Sequence, residues 1–183
     1  DISLIEDAPC IVMEFVQGQT LEERVHTGGA FDIEAFVELA RQSLDALACA
    51  HQASLVHRDI KPTNIMLVDL PSGLFQAKVL DFGLAKFLNT DAPSPQTVNI
   101  DGSIKGSVHY ISPEQLNHEA VDARSDLYSL GCSLYLALTS IEPFAGESVA
   151  GIITAHLTHR VLPAREVLAS VPPAINDWLM TLL

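Results

Sequence analysis

The segment from Leu127 to Ile141, LYSLGCSLYLALTSI, limits how this chain can fold more than any other. It carries no charge, so a helix formed from it has no charged face to offer to water. It also falls short of the roughly 20 apolar residues needed to span a bilayer. The remaining reading is a helix buried on all sides, with the rest of the chain packed around it. At 183 residues and 48% hydrophobic, the sequence has the core for one domain or most of one. The surface is acidic: 10 Lys and Arg against 23 Asp and Glu give a net charge of −13. That balance leaves no basic stripe for nucleic acid and argues against an anionic membrane surface. Cys10, Cys49 and Cys132 are widely spaced among apolar neighbours, form no CxxC pair, and read as buried free thiols in a reducing compartment.

The organisation around that helix follows from period and punctuation. Residues 10–16, CIVMEFV, read as a short strand entering a turn near Gly18. From the N-cap candidate Asp32, apolar residues at Ile33, Phe36, Val37, Ala40, Leu44, Leu47 and Ala48 keep a helical period, opposite Glu38, Arg41 and Asp45. The runs NIMLVDL and AKVLDF flank a PSG turn and predict a hairpin. Residues 89–109 have neither period and read as a long loop inside a compact region, the kind that carries function or is disordered. Pro113 opens a short helix, Asp126 starts the buried one, and two or three amphipathic helices follow Val149, broken at Pro163 and Pro172–Pro173. The chain is mostly helical, with a few short strands.

Between the long amphipathic helix and the hairpin lies VHRDIKPTNIML, residues 56–67, where His57, Arg58, Asp59 and Lys61 sit between apolar flanks. Asn64 follows Asp59 by five residues, and a second acid, Asp81, follows the hairpin. An acid that takes a proton from a hydroxyl, with an amide and a carboxylate that bind a divalent metal, forms a metal-and-base constellation. Lys61 is placed to offset charge on a transferring phosphoryl group.

HRDIKPTN, DFG (Asp81, Phe82, Gly83) and SPE (Ser112, Pro113, Glu114) occur in that order, and with them the sequence resembles the large lobe of a eukaryotic-type protein kinase. A solitary DFG is a common tripeptide; three ordered motifs at compatible spacing are not chance. IVMEFVQGQTLEERV looks like the segment linking the two lobes, and GSVHYISPEQ like the substrate-facing end of the activation segment. SPEQ in place of APE looks most like the bacterial serine/threonine kinases. The implied fold is α+β and protein-kinase-like: a mainly helical C-terminal lobe with short β-hairpins and a remnant of the N-terminal sheet. Residues 1–16 would be the end of that sheet and the hinge. Residues 17–183 would be the large lobe, cut before its last helix.

The resemblance implies roles position by position. Asp59 would be the catalytic base, Asn64 and Asp81 the magnesium ligands, and Lys61 the phosphate contact found in serine/threonine kinases. Met13 would stand behind the adenine, the backbone at Glu14 and Val16 would bond its edge, and Met66 would pack beneath the ring. Arg58 would bind a phosphorylated residue, with Thr97 and Ser103 the expected phosphosites and Thr90 and Ser94 behind them. His57 and Phe82, beside Gly83, would stack in a regulatory core, Asp126 would anchor the loop backbone, and Ser107 would reach Asp59 and Lys61. The cofactors would be ATP and Mg2+. The partners would be proteins presenting Ser or Thr, including a second copy for autophosphorylation in trans, and the compartment would be cytoplasmic, with any membrane anchor elsewhere in the parent.

Simpler readings stand beside these for His156 and His159, as surface or helix-end histidines rather than metal ligands, and for Glu22 and Glu23, as a solvated helical turn. Nothing before Asp59 matches a glycine-rich phosphate loop or its strand lysine, and residue 1 is Asp rather than Met. The expectation is a piece of an active kinase, whose isolated form has little activity; the alternative is a kinase-like binding module. The arginine that pairs with the SPE glutamate in this family has no counterpart before Leu183, so Glu114 is expected to lack its partner.

Overall fold

The computed structural model describes residues 2–5, 8–11, 13–82 and 106–183, with side chains from Met13 to Phe82 and from Val108 onward. Two strands open it, β1 (Ile2–Ile5) and β2 (Ala8–Ile11), an antiparallel hairpin in which Ile2 faces Ile11 and Ile5 faces Ala8. The strand expected over residues 10–16 therefore ends at Ile11, and Met13 to Gln17 carry no regular structure.

A second sheet of three antiparallel strands runs in the order β3 (Gln19–Thr20), β4 (Ile65–Asp69), β5 (Phe75–Val79). The β4–β5 hairpin matches the pattern around PSG, with Gly73 at φ 82° in its turn. Gly18, just before β3, sits so close to β4 that an added Cβ would lie 2.3 Å from the Leu67 carbonyl oxygen.

Helix α1 (Leu21–Gly28) begins in a reciprocal cap: Thr20 Oγ1 accepts from Glu23 N at 3.1 Å and Glu23 Oε2 accepts from Thr20 N at 2.9 Å. Glu22 and Glu23 are exposed there, as a solvated first turn requires. Helix α2 (Ile33–Gln52) starts at the cap expected for it, Asp32 Oδ1 accepting from Ala35 N at 2.8 Å. Its buried stripe is Phe36, Leu39, Ala40, Ser43 and Leu47, so Val37 and Ala48 face out instead of inward. Gln42 ties α2 to the outer edge of β5: its Oε1 accepts from Ala77 N at 2.7 Å and its Nε2 donates to the Phe75 carbonyl at 3.1 Å.

Beyond two short 3-10 turns, Pro62–Asn64 and Gly106–Tyr110, come α3 (Pro113–Leu116) and α4 (Ala123–Thr139). Helix α4 is the buried one, with every residue from Tyr128 to Leu138 buried. It starts three residues earlier than Asp126, at Ala123, after the cap Asp122, whose carboxylate accepts from Arg124 N at 2.8 Å. Two of its serines survive burial by bonding their own helix: Ser129 Oγ donates to the Ser125 carbonyl and Ser133 Oγ to that of Ser129, both at 3.0 Å. Helices α5 (Val149–Leu157), α6 (Ala164–Val167) and α7 (Pro173–Met180) complete the shell, broken where the prolines fall. The core joins Leu21 of α1, Phe36, Leu39 and Leu47 of α2, Ile65 and Leu67 of β4, and Leu130, Leu134 and Leu138 of α4. Cys132 is buried and its thiol is pushed upward by burial, whereas Cys49 is exposed, against the expectation; Cys10 has no described side chain.

Candidate active site

The loop His57 to Lys61 is shaped by one buried carboxylate. Asp126, in the first turn of α4 and 1% exposed, accepts from His57 N at 2.8 Å through Oδ2 and from Arg58 N at 2.7 Å through Oδ1. His51 Nε2, at the end of α2, lies 2.8 Å from Oδ2. Two backbone donors that no helix or sheet satisfies are thus held by a charged acceptor. Arg58 is held at φ 65°, a left-handed conformation that a residue with a Cβ resists. Gln115 of α3 adds a second clamp, its Nε2 donating to the Arg58 carbonyl at 2.9 Å.

That clamp fixes where the next residues point. His57 is fully buried; Asp59 N donates to its Nδ1 at 3.2 Å, so the ring proton sits on Nε2, which donates to the Leu80 carbonyl at 2.7 Å. Its ring lies 4.7 Å from that of Phe82 at an angle of 50°, so the pair expected to stack is in contact but tilted. Asp59 Oδ2 accepts from Lys61 Nζ at 2.8 Å and from Asn64 Nδ2 at 3.2 Å, and its carbonyl accepts from Asn64 Nδ2 at 2.9 Å. Acid, lysine and amide form one network. Because the Asn64 nitrogen is committed to Asp59, its planar amide turns the oxygen to the opposite side.

Asp81 follows β5 at φ 57°, a second left-handed residue, with its side chain exposed. An amide oxygen and a carboxylate are hard donors that suit a magnesium ion whose other ligands are phosphate and water. Among the described residues no group of three or more His, Cys, Asp and Glu could hold a metal by itself.

The remaining positions divide. Met66, on β4, is half-buried beside Thr20 of β3 and Lys78 of β5. Met13 and Glu14 are exposed and Val16 is half-buried; the Glu14 carboxylate takes Lys78 Nζ at 2.8 Å, joining this segment to β5. Ser107 belongs to the 3-10 turn, but its side chain is not described. Gly83, Thr90, Ser94, Thr97 and Ser103 lie outside the described residues. Glu114 takes a hydroxyl where the family has an arginine: Ser125 Oγ of α4 donates to its Oε1. His156 lies in the last turn of α5, a helix-end histidine and not a surface one, fully buried with its Nδ1 2.7 Å from Tyr128 Oη. His51, Gln115 and Ser125 were not foreseen. The bonds of His51 and Gln115 close over sequence separations of 75 and 57 residues, which no spacing rule reveals.

A loop acid paired with a lysine and an amide, backed by a helix carboxylate and followed by a second acid beyond a hairpin, is the donor set that phosphoryl transfer requires. The family model for the protein kinase domain matches residues 2–182, and the chain belongs to that family. A probable serine/threonine-protein kinase of Clostridium perfringens is 36% identical over 98% of this chain and 25% of its own length. The serine/threonine-protein kinase PknB of Mycolicibacterium smegmatis is 40% identical over 92% of this chain and 26% of its own. The crystal structure of Rad53 1-466 in complex with AMP-PNP superposes with a TM-score of 0.77 and 26% identity, covering 100% of this chain and 43% of that one. The chain thus spans about a quarter of the length of these curated relatives.

Proposed function

We propose that the protein containing this chain transfers the γ-phosphate of ATP to Ser or Thr hydroxyls of protein substrates. The observation that carries this reading is the Asp59, Lys61 and Asn64 network on a loop pinned by Asp126. Asp59 spends Oδ2 on its neighbours, so Oδ1 is the oxygen we assign to take the hydroxyl proton. Lys61 stands beside it to offset charge on the transferring group. Asn64 and Asp81 would hold magnesium, which neutralises phosphate oxygens when bound. A binding module without catalysis has no need of the full trio, and this is what supports transfer over that alternative.

Met13, the backbone at Glu14 and Val16, and Met66 are assigned to the adenine, supported by the Glu14–Lys78 pair that fastens their segment to β5. Residues 1–16 are assigned to the end of the small-lobe sheet and the hinge, and 17–183 to the large lobe. Arg58, exposed and locked in its backbone, is the residue assigned to a phosphate on the activation segment, placed there by autophosphorylation at Thr97 or Ser103. Dependence on ATP and the exposed thiol of Cys49 support a cytoplasmic site of action; among the described residues no helix is long and apolar enough to cross a membrane.

The test is Asp59→Asn in the full-length gene product, with phosphate transfer to a generic Ser/Thr substrate measured beside nucleotide binding. Loss of the base predicts a fall in kcat of about 100-fold or more with nucleotide affinity nearly unchanged. A wild-type rate would refute the assignment of the base.

A further inference from the structure

Behind the 3-10 turn Gly106–Tyr110 lies a buried polar cluster that the transfer chemistry does not use. His156 of α5 is 0% exposed, and its ring lies 4.2 Å from that of Phe144. Phe144 in turn stacks on Tyr128 of α4 at 5.9 Å and 18°. A polar ring buried among aromatics is unfavourable unless its nitrogens are used.

One nitrogen is used: Nδ1 lies 2.7 Å from Tyr128 Oη, and since a phenol donates readily to an unprotonated imidazole nitrogen, the ring proton falls on Nε2. Nε2 is buried and makes no well-formed hydrogen bond among the described residues. Helix α5, which carries His156, packs against the Gly106–Tyr110 turn. Val108, at the middle of the turn, is 0% exposed, and the next residue reaches the same cluster, His109 Nδ1 lying 3.1 Å from the Phe144 carbonyl oxygen. Burial, with His109 adding to it, pushes the His156 imidazole down to about 4, so it remains neutral near pH 7.

We infer that His156, oriented by Tyr128 and packed on Phe144, is a positioning residue for the protein substrate, setting the height of the Gly106–Tyr110 turn through the Phe144–His109 contact. This inference rests on the kinase reading, in which that turn faces the substrate peptide. It assigns His156 to peptide affinity and not to the nucleotide, whose assigned contacts lie on residues 13–16, β4 and Asp81. Nothing covalent is asked of the ring: it supports the turn from beneath and touches no substrate.

The experiment uses the full-length gene product with a Ser/Thr peptide substrate. Tyr128→Phe removes one hydroxyl and keeps the stack; His156→Phe removes both nitrogens and keeps the ring; His156→Gln restores a donor and an acceptor. Each is measured for peptide KM, ATP KM, kcat and Tm. The inference expects peptide KM to rise about three- to tenfold in the two Phe variants, the size of one lost buried hydrogen bond. It expects ATP KM within about twofold of wild type on the same scale, with partial recovery of peptide KM in His156→Gln. Unchanged peptide KM in both Phe variants overturns it. So does a rise in both KM values together with a fall in Tm, which would make the cluster core packing. If the wild-type protein transfers no phosphate from ATP to any peptide, the kinase reading fails and takes this inference with it, an outcome separable from the others because it appears before any substitution.

Discussion

Asp126 offers a test in which structure sets the magnitude. Its carboxylate accepts from two backbone N–H groups and pairs with His51 Nε2, and it is 1% exposed. Hydrogen bonds to a charged acceptor are worth about 1.5–3 kcal/mol each, so three give a gross of about 5–9 kcal/mol. Burying the carboxylate offsets several kcal/mol of that. The net loss on Asp126→Ala is then about 3–5 kcal/mol, a large share of the roughly 5–15 kcal/mol that holds a domain folded. Asp126→Asn is the sharper probe, because it keeps the shape. An amide has one oxygen for two N–H donors, and its own NH2 must face the second, which costs about 1–3 kcal/mol. The donor left unsatisfied is at His57 or Arg58, so the strained φ of Arg58 relaxes and Asp59 moves with it. Urea unfolding of the full-length kinase domain should show that loss, and steady-state kinetics should show kcat lower by about tenfold or more with ATP KM nearly constant. If Asp126→Asn unfolds within about 0.5 kcal/mol of wild type and turns over at the wild-type rate, Asp126 does not hold this loop.

Other substitutions separate chemistry from stability. Lys61→Met should lower kcat by at least about tenfold while changing Tm little, since its pair with Asp59 is partly exposed, at 22% and 31%; a normal kcat would remove Lys61 from the site. Gly18→Ala forces a Cβ to 2.3 Å from the Leu67 carbonyl oxygen, and displacing backbone there should destabilise the domain by about 1–3 kcal/mol in urea titrations. The pH dependence follows from His156, whose imidazole is lowered from 6.5 to about 4. The unfolded chain then binds the extra proton first, so stability is full above pH 6.5 and falls as pH drops toward 4. About 3 kcal/mol is lost over that window, and His156→Phe should remove that part of the pH slope.

The sequence marked some of these features well. Asp32, the PSG turn, Pro113 and the prolines of the tail act locally, through caps and fixed dihedrals, and each falls at or within a few residues of the boundary it predicts. The buried helix was legible for the opposite reason, since a segment with no charged face has one place to go. Its start was not: Asp122 and Asp126 are both plausible caps by pattern, and Asp126 is used for a loop that lies 68 residues back in the sequence. Strands β1 and β3 are too short to show a period, and β3 exists because β4 offers it an edge. The acid, lysine and amide of the site were visible as residue types at fixed spacing. What joins them to the fold was not, because His51, Gln115 and Ser125 reach their partners through tertiary packing.

Gln42 has a consequence for how this sheet ends. With the strand order β3, β4, β5, the outward N–H and C=O groups of β5 would form a bare edge, a ready template for a strand from another molecule. The Gln42 amide sits on Ala77 N–H and the Phe75 carbonyl in the way a neighbouring peptide unit would. One side chain of α2 thus imitates the next strand, and intermolecular sheet growth is refused at the centre of β5.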